Sequence, residues 1–99
     1  MSKEHKKEIR EKFRNAVFKR DKNTCVFCDS TTELDAHHIT DRHEMPNGGY
    51  VLSNGITLCP SHHLLAEYDY TTNSEFSPTE LYKKIHSSKE QAIQDGEKK

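Results

Sequence analysis

Three short runs of cysteine and histidine carry the side chains of this sequence that are best suited to metal chemistry. The first is Cys25-Val26-Phe27-Cys28, and the last is Cys59-Pro60-Ser61-His62-His63. Between them, two adjacent histidines occur in Asp35-Ala36-His37-His38-Ile39. Two pairs of ligands, each separated by two residues, can close one tetrahedral zinc site. Histidines then remain for a second, chemically active metal centre.

The spacing predicts a structural zinc ion held by three cysteines and one histidine. These ligands would be Cys25, Cys28, Cys59 and His62. Only 31% of the residues are hydrophobic and the chain has no Trp, so its core is thin. A small domain of this kind usually needs a staple such as a metal ion. The alternative is that the cysteines are free thiols whose spacing arises by chance.

The composition of the chain limits its class. With 99 residues, we expect one domain spanning 1–99. The first residues are almost wholly polar, which predicts neither a signal peptide nor a membrane span. Three cysteines cannot all pair as disulfides. We therefore expect a reducing cytoplasm, of a cell or a phage-infected host, where clustered Cys and His bind metal.

Positive charge is concentrated near the N-terminus, although the net charge is only −1. Residues 1–22 hold nine Lys and Arg against four acidic residues, whereas the other 77 hold six against twelve. A basic segment on an otherwise acidic domain is a candidate for contacts with phosphate. The same charges could equally form the solvated face of a helix. The residues expected to contact a nucleic-acid backbone are Arg10, Arg14, Lys19 and Arg20.

Two helices are predicted at the ends of the chain. Ile9, Phe13 and Val17 recur at helical spacing and predict a basic helix over about 4–20. A capping box at Ser77-Pro78-Thr79-Glu80 predicts the start of a C-terminal helix that runs over about 78–93. We expect 96–99 to be frayed.

The zinc-bearing core is expected over about 24–69, between these helices. Its elements would be short strands at 24–27 and 34–39, a long polar loop at 40–49 and a hairpin whose turn at Asn54-Gly55 joins 50–52 to 56–58. A helix after Cys59 and a linker at 69–77 would follow. Neighbouring residues of a strand face opposite ways. His37 and His38 can therefore both reach one site only if the strand ends or bends there.

The order of these motifs resembles that of the HNH endonuclease family: the cysteine pair, the His-His pair, the Gly- and Asn-containing run 48–59 and the final Cys-His cluster. The resemblance is to its zinc-stapled ββα-metal (His-Me finger) form, and it covers roughly Arg14 to Glu67. It implies an α+β fold: a small ββα-metal core with a structural zinc, flanked by an N-terminal and a C-terminal helix. It also implies a divalent-metal-dependent DNA endonuclease that hydrolyses phosphodiester bonds.

The resemblance assigns catalytic positions to His38 and Asn54. His38 takes the place of the general base, and Asn54 that of the central asparagine, which holds the loop and the base. An imidazole with an ordinary pKa of about 6.5 suits the deprotonation of water near neutral pH. His37 and His63 take the places of ligands to a catalytic ion, Mg²⁺ or another divalent cation.

Two choices remain open in the ligand sets. Glu67 lies four residues after His63 and is the candidate for a third ligand of the catalytic ion, with Asp35 as its rival. In an alternative register, zinc keeps three cysteines only, and His62 replaces His63 as a ligand of the catalytic ion. The histidines expected at the surface, without a role, are His5, His43 and His86.

Other functions fit parts of the same pattern. A non-catalytic zinc module that binds nucleic acid or protein would explain the zinc ligands but leave the other histidines unused. A nuclease acting on RNA or single strands and a toxin domain are further alternatives. Our main expectation is double-stranded DNA as the substrate, with no membrane. So small a domain has little surface for reading bases, which favours help from a protein partner in specificity.

Overall fold

A computed structural model describes residues 3–68 and 76–98, and within them it shows a small α+β fold. Two strands, β1 (Asp35–His38) and β2 (Gly55–Leu58), form an antiparallel sheet. The helices are α1 (Lys3–Arg20), α2 (Pro60–Tyr68), α3 (Pro78–Lys84) and α4 (Lys89–Glu97). Short 3₁₀ turns at Arg42–Glu44, Pro46–Gly49 and Leu52–Asn54 connect the strands. None of the helices in the described residues is long and apolar enough to cross a membrane.

Helix α1 packs across the end of the sheet, where His38 lies opposite Gly55. It contributes Phe13 and Val17, both buried, as the helical pattern predicted. A Cβ atom at Gly55 would lie 2.4 Å from Cγ2 of Val17. Glycine is therefore required at this position by the close approach of the helix, since any side chain would push α1 away from the strand.

The C-terminal end of α1 is fastened to the sheet by a half-buried ion pair between Arg20 and Asp21, 2.8 Å apart. Arg20 also donates hydrogen bonds to the carbonyl oxygens of Leu52 and Gly55, at 2.8 and 2.7 Å. Asp21 accepts one from the backbone N–H of Thr57 at 3.0 Å. Arg20 thus fastens α1 to the sheet, and its contact with nucleic acid stays a prediction.

The hairpin predicted at Asn54-Gly55 is wrong. Strand β2 pairs with β1 and not with residues 50–52. Leu52–Asn54 forms a 3₁₀ turn, and Gly55 is extended at φ −122°. The Asn-Gly pair that is typical of a hairpin turn has other uses here: Gly55 makes room for α1, and Asn54 is buried for the hydrogen bonds of its side chain.

Two further segments before β2 differ from expectation. Residues 24–27 form a turn and not a strand, because Asp29 donates its N–H to the carbonyl oxygen of Cys25 at 3.0 Å. The loop at 40–49, expected to be polar, contains two 3₁₀ turns and buries Met45 in the core. The order of β1, β2 and α2 along the chain agrees with expectation.

The C-terminal region holds two helices instead of one. Ser77 caps α3 as predicted, since its side chain accepts a hydrogen bond from the N–H of Glu80. The chain then turns at His86, which adopts a positive φ of 57°. Ser88 starts α4 as a second cap, accepting from the N–H of Gln91. The second capping serine, Ser88, therefore divides the segment that was predicted as one helix over 78–93.

The end of α4 is packed at Gly96, so the fraying expected at 96–99 is contradicted for that residue. Gly96 is buried, and a Cβ atom there would lie 2.9 Å from the carbonyl oxygen of Pro46. Asn47 donates a hydrogen bond of 2.7 Å to the carbonyl oxygen of Gly96. Lys99 and most of the linker predicted at 69–77 lie outside the described residues.

Candidate metal centres

Three cysteines and one histidine converge on one point. The ligand atoms of Cys25, Cys28, Cys59 and His62 all lie within 4.8 Å of one another. The sulfur atoms of Cys28 and Cys59 are 3.6 Å apart, and Nδ1 of His62 lies 3.6 and 3.1 Å from those of Cys25 and Cys59. Two sulfur atoms bound to one zinc ion at about 2.3 Å are separated by roughly 3.8 Å in a tetrahedron. The donor set and its spacing thus fit zinc, and this cluster could hold one ion.

Local structure positions these four side chains. The first two cysteines lie on the turn at 25–29, Cys59 directly follows β2, and His62 is in the first turn of α2. The ring of His62 stacks on Phe27 and Phe76, with centroids 5.3 and 5.9 Å apart. These contacts hold the imidazole against the sulfur atoms.

The thiol of Cys59 is prepared for ligation. Burial raises its pKa, but hydrogen bonds from the backbone and the ring of His62, and from the neighbouring thiols, lower it to about 6. Because the thiolate is the form that binds metal, Cys59 offers a ligand at neutral pH.

A second group contains His37, His63 and Glu67, whose ligand atoms also lie within 4.8 Å of one another. His37 comes from β1, and its ring centroid is 5.1 Å from that of His63 on α2. Glu67 lies one helical turn after His63, with its carboxylate 3.0 Å from Nε2 of that ring. Two imidazoles and a carboxylate are a donor set suited to a divalent ion.

The neighbours His62 and His63 thus belong to different groups. His62 lies with the cysteines and His63 with His37, as in the first of the two registers considered. Asp35 touches the other side of His63, 3.2 Å from Nδ1, but it is not part of the group that could hold an ion. Glu67 is therefore better placed than Asp35 as a third ligand.

His37 is kept in the neutral form that binds metal. Burial, reinforced by the nearby His63 and His38, lowers the pKa of His37 to about 4, although Asp35 acts in the opposite direction. The imidazole therefore has a free lone pair at neutral pH.

His38 is turned toward α1 and lies at the end of β1. Its ring stacks on Phe13 with a centroid distance of 4.5 Å and meets Tyr50 edge-on at 4.9 Å. Its Nε2 atom is buried and has no hydrogen-bond partner within residues 3–68 and 76–98. Burial and, next, the charge of Arg42 lower the pKa of His38. His37 and His38 thus face apart, yet both line the same cleft because the strand ends at His38.

Asn54 is fully buried and does not line that cleft. Its side chain accepts hydrogen bonds from the N–H of Thr40 at 3.0 Å and the hydroxyl of Tyr82 at 2.7 Å. It donates to the carbonyl oxygens of Thr40 and Gly49 at 3.1 and 3.2 Å. Asn54 therefore fixes the segment that follows His38 and has no access to a substrate.

Two clefts that share lining residues lie beside His38. The first, of about 830 Å³, is lined by the second metal group, and the second, of about 460 Å³, lies between α1 and β1. Both are lined by His38 and Arg42. The second cleft, which we call the basic groove, carries four cationic side chains: Lys7, Arg10, Arg14 and Arg42.

Two contributors to the site are absent from the sequence-based predictions. Arg42 lies in the segment predicted as a loop, 40–49. The 3₁₀ turn at 42–44 places it beside His38. Tyr82 reaches Asn54 and Thr40 from a helix far along the chain, so no local pattern indicates it. Lys19 is exposed and does not line the basic groove. His43 and His86 are also exposed, as expected of surface histidines. The side chain of His5 lies outside the described part of the chain.

Comparison of the chain with protein-family models, curated proteins and solved structures finds no match. What the fold itself establishes is a small α+β arrangement with a Cys₃His cluster that could bind zinc. Any functional assignment therefore depends on the residues of the two clusters and on the clefts around them.

Proposed function

We propose that this protein is a divalent-metal-dependent DNA endonuclease of the HNH type, with a histidine as general base. The observation that carries the proposal is the division of His62 and His63 between two separate metal-type groups, with His38 beside the second. A plain zinc module needs only the first group. The succession of β1, β2 and α2 supports the same assignment.

The catalytic ion would be held by His37, His63 and Glu67, while the Cys₃His cluster would hold a structural zinc. A divalent ion bound there would stabilise negative charge on the phosphate and on the leaving oxygen. Two elements present these ligands: β1 carries His37, and one turn of α2 carries the other two. The lowered pKa of His37 keeps it available for ligation at neutral pH.

His38 would accept a proton from the attacking water. The water oxygen forms a bond to phosphorus as the bond to the 3′ oxygen breaks, and the leaving oxygen takes up a proton from solvent. The products carry 5′-phosphate and 3′-hydroxyl ends, as the resemblance implies. Because Nε2 of His38 is enclosed, we assign proton transfer to Nδ1.

The basic groove would hold the DNA backbone beside His38. Its four cations neutralise phosphates, a contact that carries no sequence information. Lys7, Arg10 and Arg14 lie three and four residues apart, so they share one face of α1. The contact is the same for every duplex, and we therefore assign sequence or structure selection to a protein partner.

The test is plasmid cleavage by wild type, His38→Ala and His43→Ala, each with Mg²⁺, Mn²⁺ or EDTA. His43→Ala is a matched control because it removes an exposed imidazole five residues away. We expect metal-dependent cleavage by wild type and His43→Ala, and none by a folded His38→Ala. Failure of the wild-type protein to cleave with any ion, while it retains one zinc, would favour the non-catalytic zinc module.

A further inference from the structure

Asp35 is the one carboxylate that contacts the second metal group without belonging to it, among the residues that the structure describes. Its oxygen lies 3.2 Å from Nδ1 of His63, on the opposite side of the ring from Glu67, which lies 3.0 Å from Nε2. The ring is therefore held between two carboxylates. Glu67 and His37 belong with His63 to the group that could hold an ion, whereas Asp35 does not.

The position of Asp35 is set by the sheet. It is the first residue of β1 and pairs with Leu58, the last residue of β2. Cys59 and helix α2 follow directly, so the register places Asp35 beside the first turns of α2, where His63 lies. Strand pairing thus brings the exposed carboxylate of Asp35 next to His63.

A histidine that binds a metal through one ring nitrogen commonly donates its other N–H to a carboxylate, which fixes the ring and its tautomer. We infer that Asp35 is a positioning residue of the second metal site: it accepts a hydrogen bond from Nδ1 of His63 and directs Nε2 toward Glu67 and His37. This inference rests on the second metal site of the proposed function, and it requires no nuclease activity.

The test is calorimetric titration of Mn²⁺ into the zinc-loaded protein. We expect Asp35→Ala to weaken Mn²⁺ binding by about 10–100-fold, the usual effect of removing such an outer carboxylate. Asp35→Asn should lose only a few-fold, because its carbonyl oxygen can still accept the N–H of His63. Asp41→Asn is the control for lost charge, since Asp41 lines the same cleft without a contact to the group.

Two results would overturn the inference. If Asp35→Asn weakens binding as much as Glu67→Gln does, Asp35 is a direct ligand. If Asp35→Ala binds Mn²⁺ as tightly as Asp41→Asn, the contact with His63 has no effect on the site. The proposed function is judged separately: a wild-type protein that binds Mn²⁺ but cleaves no DNA would refute the nuclease and leave the role of Asp35 intact.

Discussion

Tyr82 donates a hydrogen bond of 2.7 Å to the side-chain oxygen of Asn54, and its hydroxyl also lies 2.6 Å from that of Thr40. All three residues are buried. Helix α3 thereby reaches the segment that follows His38, although it lies outside the part of the chain that carries the two metal-type groups. Helix α3 thus supports the segment next to His38.

Replacing Tyr82 with Phe should destabilise the protein by about 1–2 kcal/mol. The ring is retained, but Asn54 and Thr40 each lose a buried hydrogen-bond partner, which typically has this cost. Urea unfolding of wild type and Tyr82→Phe measures the difference, with Thr79→Ala as an exposed control on the same helix. Equal stability of Tyr82→Phe and wild type would show that the hydroxyl contributes nothing.

Cys25→Ala should unfold the protein and not merely inactivate it. Structural zinc contributes on the order of 10–16 kcal/mol to folding, which is comparable to the roughly 5–15 kcal/mol of net stability usual for a domain. The variant should lose both the helical circular dichroism signal and the bound zinc. The control Ser61→Ala, which changes an exposed residue next to His62, should keep both. A Cys25→Ala variant with wild-type melting behaviour would contradict the structural role of zinc.

The acidic limb of the pH profile, where the cleavage rate declines as the pH falls, should lie at a lower pH than an ordinary imidazole would give. Burial and Arg42 lower the pKa of His38, so the unprotonated base persists to lower pH. Arg42→Gln removes a positive charge, raises the pKa of His38 and should move the acidic limb to higher pH. Arg42→Lys keeps the charge and should leave the limb in place.

Single-turnover rates at saturating protein measure this profile without interference from weaker DNA binding. An Arg42→Gln variant whose acidic limb coincides with that of wild type would show that a group other than His38 controls the rate.

The sequence predicts both groups that could hold a metal ion, because their ligands occur in local pairs. Each signal lies within a few residues: the Cys25/Cys28 pair, the Cys59/His62 pair, the adjacent histidines, and the one-turn spacing of His63 and Glu67. The sequence also predicted α1, since Phe13 and Val17 lie on one stripe, and the start of α3, since Ser77 is a strong cap.

What the sequence could not show depends on distant contacts. The Asn-Gly pair predicts a hairpin locally, but packing of α1 on Gly55 and the hydrogen bonds of Asn54 decide its conformation. Arg20 looks like another basic residue of α1 until its bonds to Leu52 and Gly55 are known. Tyr82 shows no local signal at all for its contact with Asn54.

The double variant Arg10→Ala/Arg14→Ala should weaken DNA binding without altering the cleavage pattern. Both side chains line the basic groove, and each lost phosphate contact should reduce the slope of log affinity against log salt by about one unit. Lys12→Ala/Lys19→Ala removes the same charge from α1 outside that groove and is the matched control. A changed cleavage pattern at unchanged affinity would contradict a backbone contact.

We propose that the neighbouring histidines His62 and His63 serve two different metal sites. His62→Ala should lose zinc and unfold, because it removes a ligand from the Cys₃His cluster. His63→Ala should keep the fold and one equivalent of zinc.

The most direct measurement is therefore zinc content together with Mg²⁺- or Mn²⁺-dependent plasmid cleavage by His63→Ala. We expect one bound zinc, wild-type melting and loss of cleavage. A His63→Ala protein that cleaves at the wild-type rate would contradict the claim.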